Sequence, residues 1–362
     1  MRIVWRAALL LAAAGTWSAA QDTSTQSSSL PAVRPVRGDL LHWRAGEGKT
    51  APLSKETRVA PADRLGTKDG DYATLTTESG TIVSLRGVRT AAERGLGIER
   101  REGKLIFRVF EGKLAVQTFE EGVKVETPQG QITAGQSHFI VEVEKEKVRV
   151  IPVDGSVTFT NSLGSVVVEP GRETVAEPGK KPTAPKAVDV GKATEEFNRL
   201  EAPFNLIKNP GFEDSLKEWG PTHFTLAGKR HTEQDTTVAH SGRASVRLDI
   251  TPRIQGRPGM YRFAVQDVAA VPGKTYLFRF YLRGDIREGK VTARIGLGGV
   301  ESPDAWNVTG DKTWRPKSVF VTAKDKILQV MLEVTIESDP YGGSLWLDDF
   351  LLSEFPGSAA PK

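Results

Sequence analysis

A chain of 362 residues without a single cysteine excludes disulfides, thiolate metal centres, a cysteine nucleophile and lipid attachment to an N-terminal cysteine. Its 49 Lys and Arg stand against 45 Asp and Glu, a net charge of +4 that shrinks further once Arg2 and Arg6 are removed with the leader, so there is no basic stripe of the kind nucleic acid demands. The length suits two domains of ordinary size.

The chain opens with Arg2 and Arg6, the apolar run Ala7 to Ala14, and then Ser18-Ala19-Ala20, the pattern of a cleaved signal peptide over residues 1–20. The run is shorter than the roughly 20 residues needed to cross about 30 Å of hydrocarbon, and no later segment approaches that length. These features predict export to the periplasm or secretion, with no transmembrane segment after cleavage. Residues 21–37 are rich in Ser, Thr and Pro and poor in large apolar side chains, which predicts a flexible spacer.

From residue 38 to 177 the chain falls into runs of four to eight residues with period-two alternation, broken by Gly, Asp and Pro; this predicts an antiparallel β domain. Phe139, Val141 and Val143 alternate with Ile140, Glu142 and Glu144, and Val148-Arg149-Val150 follows a charged turn, which reads as a hairpin with one buried face. Residues 178–204 hold a Pro- and Lys-rich linker, and Ala193, Phe197 and Leu200 at helical spacing predict one short helix from Gly191 to Leu200. Over residues 205–355 strand patterns return at Ala244 to Ile250, Thr275 to Leu282, Val291 to Leu297, Lys317 to Val321, Ile327 to Ile336 and Ser344 to Leu352. With no long helices between them they predict a β-sandwich jelly roll, and an all-β fold overall, closed by a tail at 356–362.

The first domain presents, in order, Ala62-Asp63-Arg64-Leu65-Gly66-Thr67, Ala73-Thr74-Leu75, Ser79-Gly80-Thr81-Ile82-Val83-Ser84-Leu85, Phe110-Glu111-Gly112-Lys113-Leu114-Ala115-Val116, Val125-Glu126-Thr127-Pro128-Gln129-Gly130, Ala134-Gly135-Gln136-Ser137-His138-Phe139 and Val153-Asp154-Gly155-Ser156-Val157. This series resembles the FecR domain family over nearly the whole domain, with alanine at position 62 where the family has glycine. The resemblance implies either a periplasmic regulator acting on an anti-sigma segment or a stand-alone exported module. With only six residues before the apolar run, the expectation is of a chain without the cytoplasmic segment that the regulator uses.

The second domain carries Asn205-Leu206-Ile207-Lys208-Asn209-Pro210-Gly211-Phe212-Glu213, then Trp219, Ala239-His240-Ser241-Gly242-Arg243-Ala244, Val271-Pro272-Gly273-Lys274-Thr275-Tyr276, Trp314 and Leu345-Trp346-Leu347-Asp348-Asp349-Phe350. These motifs resemble the galactose-binding-like jelly rolls that include carbohydrate-binding modules. The resemblance implies a structural calcium held by Glu213 and Asp349 with carbonyls at Gly211 and around His240 to Arg243, and calcium does accept six to eight oxygen ligands of these kinds. The alternative is that Glu213 and Asp349 only bond backbone amides at strand ends while Asp348 faces solvent. Glycan recognition needs spare aromatic faces. Trp219, Trp314 and Trp346 stand at family core positions, which leaves Trp306 in the polar loop Glu301 to Lys312, and Tyr261 and Tyr341 beside Gly259 and Gly342, as the glycan-binding candidates.

Catalytic patterns are missing. Asp348 and Asp349 are neighbours on a strand and should point to opposite faces, and the five histidines show no H-E-x-x-H spacing, nor is there a G-x-S-x-G elbow. The sequence therefore predicts a non-catalytic exported protein with a polysaccharide or envelope glycan as partner, an envelope protein as a second partner, and no cofactor beyond calcium. The competing reading is an envelope sensor that relays a ligand signal to a membrane partner.

Overall fold

The computed structural model describes residues 30–68, 71–90, 95–119, 122–220, 232–250, 259–286, 291–297, 300–301, 306–307, 312–336 and 343–355. The leader, the first part of the spacer, Tyr341 and the tail lie outside the described residues. Both halves are β-sandwiches, as the alternation predicts, and a helix α1 at Val190–Glu201 lies between them in sequence.

In the first half, one sheet runs in the order Lys186–Ala187, Arg172–Ala176, Lys147–Asp154, Ser137–Glu144, Gly112–Thr118, Ile82–Arg86, Tyr72–Thr77, Ala32–Gly38, Thr57–Arg58. A second sheet runs Gly164–Val168, Val157–Asn161, Gly130–Ala134, Val123–Thr127, Lys104–Arg108, Gly97–Arg101. The pairing is antiparallel except between Val123–Thr127 and Lys104–Arg108, which run parallel. Leu75, Leu85, Leu114, Phe139 and Val141 of the first sheet meet Phe107, Val125, Ile132 and Phe159 of the second in a fully buried core. Each such side chain contributes about 1.5–3 kcal/mol on burial. Gly155 shows why glycine closes these hairpins: its φ is +68°, and a Cβ there would lie 2.6 Å from the carbonyl of Gln136.

Two expectations need correction. Residues 32–37 belong to the domain and not to a spacer, because Ala32 and Val33 are buried and pair with Arg58 and Thr57, while Val33 and Arg34 pair on the other side with Thr77 and Thr76. A register shift between Pro35 and Arg37 accommodates the proline, which cannot donate to a ladder; composition alone misread the segment. The Ser137–Glu144 hairpin buries both faces, since Ile140 is as buried as Phe139. Ile140, with Ile151 and Val153, packs on Phe197 of α1 and Tyr281 of the second half.

In the second half, one sheet runs Thr232–Asp235, Ser245–Ile250, Gly343–Phe355, Thr275–Ile286, Arg315–Thr322. The facing sheet runs Gly259–Ala269, Ile327–Ile336, Val291–Leu297, Val300–Glu301, with Trp306–Asn307 also paired to Val291–Leu297. Phe212, Trp219, Phe278, Phe280 and Phe350 fill the space between the sheets with Leu328 and Val330. The ring pairs stand 5.1 Å (Phe212–Trp219) and 5.4 Å (Phe280–Phe350) apart, within the range of favourable aromatic contacts.

The strand Thr275–Ile286 shows how the halves join. Phe278 and Phe280 enter the jelly-roll core, while Leu277 and Tyr281 on the opposite face pack against the first half with Ile82 and Ile140. Around this seam Phe119 meets Phe320 at 5.2 Å, Gln117 donates to Ser318 at 2.7 Å and Arg315 lies 3.6 Å from Asp154. The linker is bound as well: Thr183 exchanges hydrogen bonds with Thr174 and Val175, and the Val188 N–H donates to Gly171.

Candidate functional site

The loop that leaves α1 is built by Asn209. Its amide donates to the carbonyls of Ser215 and Lys217, and its side-chain oxygen accepts from the Asp214 N–H. Gln266 clamps the loop through the Lys208 N–H and carbonyl. These bonds hold Asn209 and Phe212 in left-handed backbone, φ +46° and +56°, which drops Phe212 into the core and turns Glu213 towards the loop at Ser241–Ala244. Glu213 Oε1 there accepts the N–H groups of Arg243 at 2.8 Å and Ala244 at 3.2 Å.

The closing strand brings two further carboxylates. A register shift opposite Arg279/Tyr281 and φ +49° at Asp349 form a bulge, so Asp348 and Asp349 do not follow strand alternation. Asp348 Oδ1 and Asp349 Oδ1 lie 3.5 and 3.7 Å from the position a Cβ on Gly211 would take, with Glu213 Cγ at 4.0 Å. The bulge overturns both the opposite-face expectation and the solvent-facing alternative for Asp348, which is 0 % exposed. Asp348 accepts from the backbone N–H groups of His240 at 2.8 Å, Ser241 at 3.3 Å and Asp349 at 2.8 Å. Asp349 accepts from His240 Nδ1 at 2.6 Å and the Ser241 hydroxyl at 2.7 Å. The structure therefore gathers Gly211, Glu213, His240 and Asp349 in one place and adds Asp348.

Burial first, and the neighbouring Asp349 charge second, hold the Asp348 carboxyl far above the usual carboxylate range, against the pull of its backbone donors. Among the described residues no three His, Cys, Asp or Glu side chains form a metal cage. Each oxygen of Asp348, Asp349 and Glu213 already accepts a backbone or side-chain donor, and the His240 carbonyl lies against Gly191, so calcium, which takes six to eight oxygen ligands, would have to displace those donors.

The aromatic candidates are placed differently from expectation. Tyr261 lies inside the eleven-residue strand Gly259–Ala269, whose alternation is interrupted by a register shift between Phe263 and Val265. Trp306 forms a short strand with Asn307 instead of standing in a loop. Tyr261, Val334, Ala293 and Trp306 are cross-strand partners in one row of the sheet. The alternate rows hold Arg262, Glu333 and Arg294, and Met260, Thr335, Thr292 and Asn307.

Of the tryptophans expected in the core, Trp219 is there and donates Nε1–H to the Asn209 carbonyl at 3.0 Å. Trp346 lies on the other face of its strand, bonded to Asp235 at 2.8 Å beneath Arg283. Trp314 packs in the seam between the halves. Sequence reasoning missed an open groove of about 850 Å³ on the first half, lined by Arg86, Phe110, Lys113, Pro128, Glu142 and Lys145; Phe110 is 41 % exposed there.

No family model matches the chain, and no curated protein does. Solved structures similar to parts of it include the carbohydrate-binding module TmCBM61 in complex with beta-1,4-galactotriose, at 22 % identity over 41 % of this chain and 98 % of that one, TM-score 0.31. A family 16 carbohydrate-binding module matches at 18 % identity over 41 % of this chain and 100 % of that one, TM-score 0.30. A putative anti-sigma factor from Parabacteroides distasonis matches at 18 % identity over 36 % of this chain and 62 % of that one, TM-score 0.31.

Proposed function

We propose that this is an exported, non-catalytic binding protein whose jelly roll engages a glycan while the FecR-like half serves as its rigid mount at the envelope. One observation carries the reading: the jelly roll spends the outer face of one sheet on the first half, through Leu277, Tyr281 and Phe320, and keeps exposed residues on the outer face of the other, at Asp267, Ile327 and Gln329. A face left open on one side of a well-anchored sandwich is where a ligand can be received without disturbing the fold. That face carries Gln329, which donates to Asp267 at 3.1 Å, and these two offer hydrogen-bonding groups for sugar hydroxyls, while Trp306, Tyr261 and Tyr341 remain the aromatic candidates for stacking. Calcium, which the resemblance implies at Glu213 and Asp349, would have to displace the donors already on them.

Affinity electrophoresis of the mature chain against a polysaccharide panel, with calcium and with chelator, tests the reading. Retardation by at least one polymer is expected. If Asp267→Ala and Gln329→Ala abolish it and Trp306→Ala does not, the ligand is held by hydrogen bonds on the open face; loss in Trp306→Ala assigns stacking to the aromatic candidates. A chain that no polymer retards is not a glycan-binding protein.

A further inference from the structure

The groove on the first half lies where strands of both sheets end. Arg86 closes the strand Ile82–Arg86, Gly112 opens Gly112–Thr118, Glu142 to Lys145 end Ser137–Glu144 and begin its turn, and Pro128 comes from the other sheet, between Val123–Thr127 and Gly130–Ala134. Its volume, about 850 Å³, falls in the range of ligand sites, roughly 300–1,000 Å³. The aromatic side chain in its lining is Phe110, 41 % exposed and without a ring contact among the described residues.

The chain is pinned on both sides of that ring. Val109 is fully buried, and its N–H donates to the Glu126 carbonyl at 3.0 Å. At Gly112 the backbone runs directly against its neighbour: φ is +101°, and a Cβ there would lie 2.8 Å from the Arg86 carbonyl oxygen. Phe110 is therefore carried on a fixed main chain, so little ordering is left for a ligand to impose.

The rest of the lining selects the ligand. Arg86, Lys113 and Lys145 stand with Glu111, Glu142 and Glu144. Most of these charges compensate one another or a neighbour: Lys113 lies 3.2 Å from Glu142 and 3.1 Å from Glu196, Arg86 pairs with the same Glu196, and Glu144 lies 3.1 Å from Lys147. An anion would meet carboxylates in this groove and a cation would meet ammonium groups, whereas an uncharged ligand rich in hydroxyls meets donors and acceptors together. Each strand that ends here is interior to its sheet, so the groove offers no free edge to which an extended peptide could add as a strand.

We propose that this groove is a carbohydrate site in its own right, taking an uncharged oligosaccharide whose C–H face stacks on Phe110 while its hydroxyls bond to the charged rim. The first half is then a binding surface as well as a mount, independently of which face of the jelly roll receives a ligand.

Affinity electrophoresis of the full mature chain against neutral polysaccharides tests it. Phe110→Ala is expected to weaken binding of at least one polymer roughly tenfold, and Phe110→Trp, which keeps an aromatic face, to hold or tighten it. Lys145→Ala is expected to cost about threefold, and Trp306→Ala and Gln329→Ala, both on the jelly roll, to leave this component unchanged. Wild-type retardation of Phe110→Ala on every polymer overturns the groove and leaves the jelly-roll reading standing. A wild-type chain that no neutral polymer retards overturns the groove, and retardation by charged polymers alone then keeps glycan binding on the jelly roll.

Discussion

Two buried charge clusters flank helix α1, and they are built on opposite principles. At its C-terminal end Glu201 sits between Arg279, with which it is in close contact, and Arg37, 3.9 Å away, one arginine from each half of the molecule. Burial works to discharge Arg279, and the Glu201 carboxylate more than offsets it, holding the guanidinium above its ordinary range. Along the helix, Asp348, Asp349 and Glu213 gather three carboxylates whose partners are backbone amides, a hydroxyl and a histidine, with Arg243 approaching only from a largely exposed position. The first cluster is closed by side-chain charges of opposite sign, and the second by hydrogen-bond donors, most of them main-chain amides, on each carboxylate oxygen. The comparison teaches that the same low dielectric can be met by a countercharge, which keeps Arg279 charged beside Glu201, or by amides alone, which leave the Asp348 carboxyl raised.

The largest effect should come from breaking the complete cluster. Glu201→Ala leaves Arg279 and Arg37 buried without their carboxylate, and loss of one partner of a buried pair costs about 3–5 kcal/mol. Urea unfolding should show that loss, with the seam opening before the cores; a cost under about 1 kcal/mol would mean the arginines find water. The amide-held cluster separates two outcomes. At a hundred times its dissociation constant a bound ion stabilises the folded state by about 2.7 kcal/mol, so a rise in unfolding temperature with calcium would show that a cation displaces the donors, whereas no rise is expected if hydrogen bonds alone close the cluster; Asp348→Asn, which sets an amide NH2 against backbone N–H groups, should then cost about 1–3 kcal/mol with or without calcium.

The smallest effect sharpens the contrast by asking whether the balanced cluster tolerates one more charge. His138 is buried beside Arg279, and burial first, then the Arg279 and His240 charges, push it from 6.5 down to about 3. The unfolded chain therefore binds a proton that the folded chain refuses between those two values, so stability is full above pH 6.5 and falls as pH drops through the window. At about 1.36 kcal/mol per pKa unit the loss reaches roughly 2 kcal/mol by pH 5. Denaturation midpoints of wild type and His138→Gln, measured from pH 7 to 5, should diverge in slope accordingly.

Much of this was legible in the residue pattern. The helix at Val190–Glu201 follows from Ala193, Phe197 and Leu200, and the strand Ile327–Ile336 is bounded as its alternation predicts. The strand Gly259–Ala269 was hidden because the shift at Phe263/Val265 interrupts its period, and 32–37 because Pro35 and two arginines look like spacer. The site was half legible. Motif order brought Gly211, Glu213, His240 and Asp349 together, but a bulge is invisible to a rule of alternation, so Asp348 was misjudged. The seam was harder still: the run Tyr276 to Leu282 carries apolar residues at both parities, a sign that both faces are covered, yet nothing in it names the covering partner. Arg279, the lone charge in that run, was the clue, since a charge so placed requires a buried mate.

The segment with three prolines between the halves, fastened to the first half through Thr183 and Val188, has a consequence for avidity. A slack tether would let neighbouring copies adjust their reach to any spacing along a polymer, with an effective concentration that varies smoothly with tether length. A strapped one gives each copy a fixed bearing, so two copies would bridge a repeating ligand only at separations their rigid outlines permit, and cooperation between them would depend on the ligand's repeat distance more than on how many copies are present.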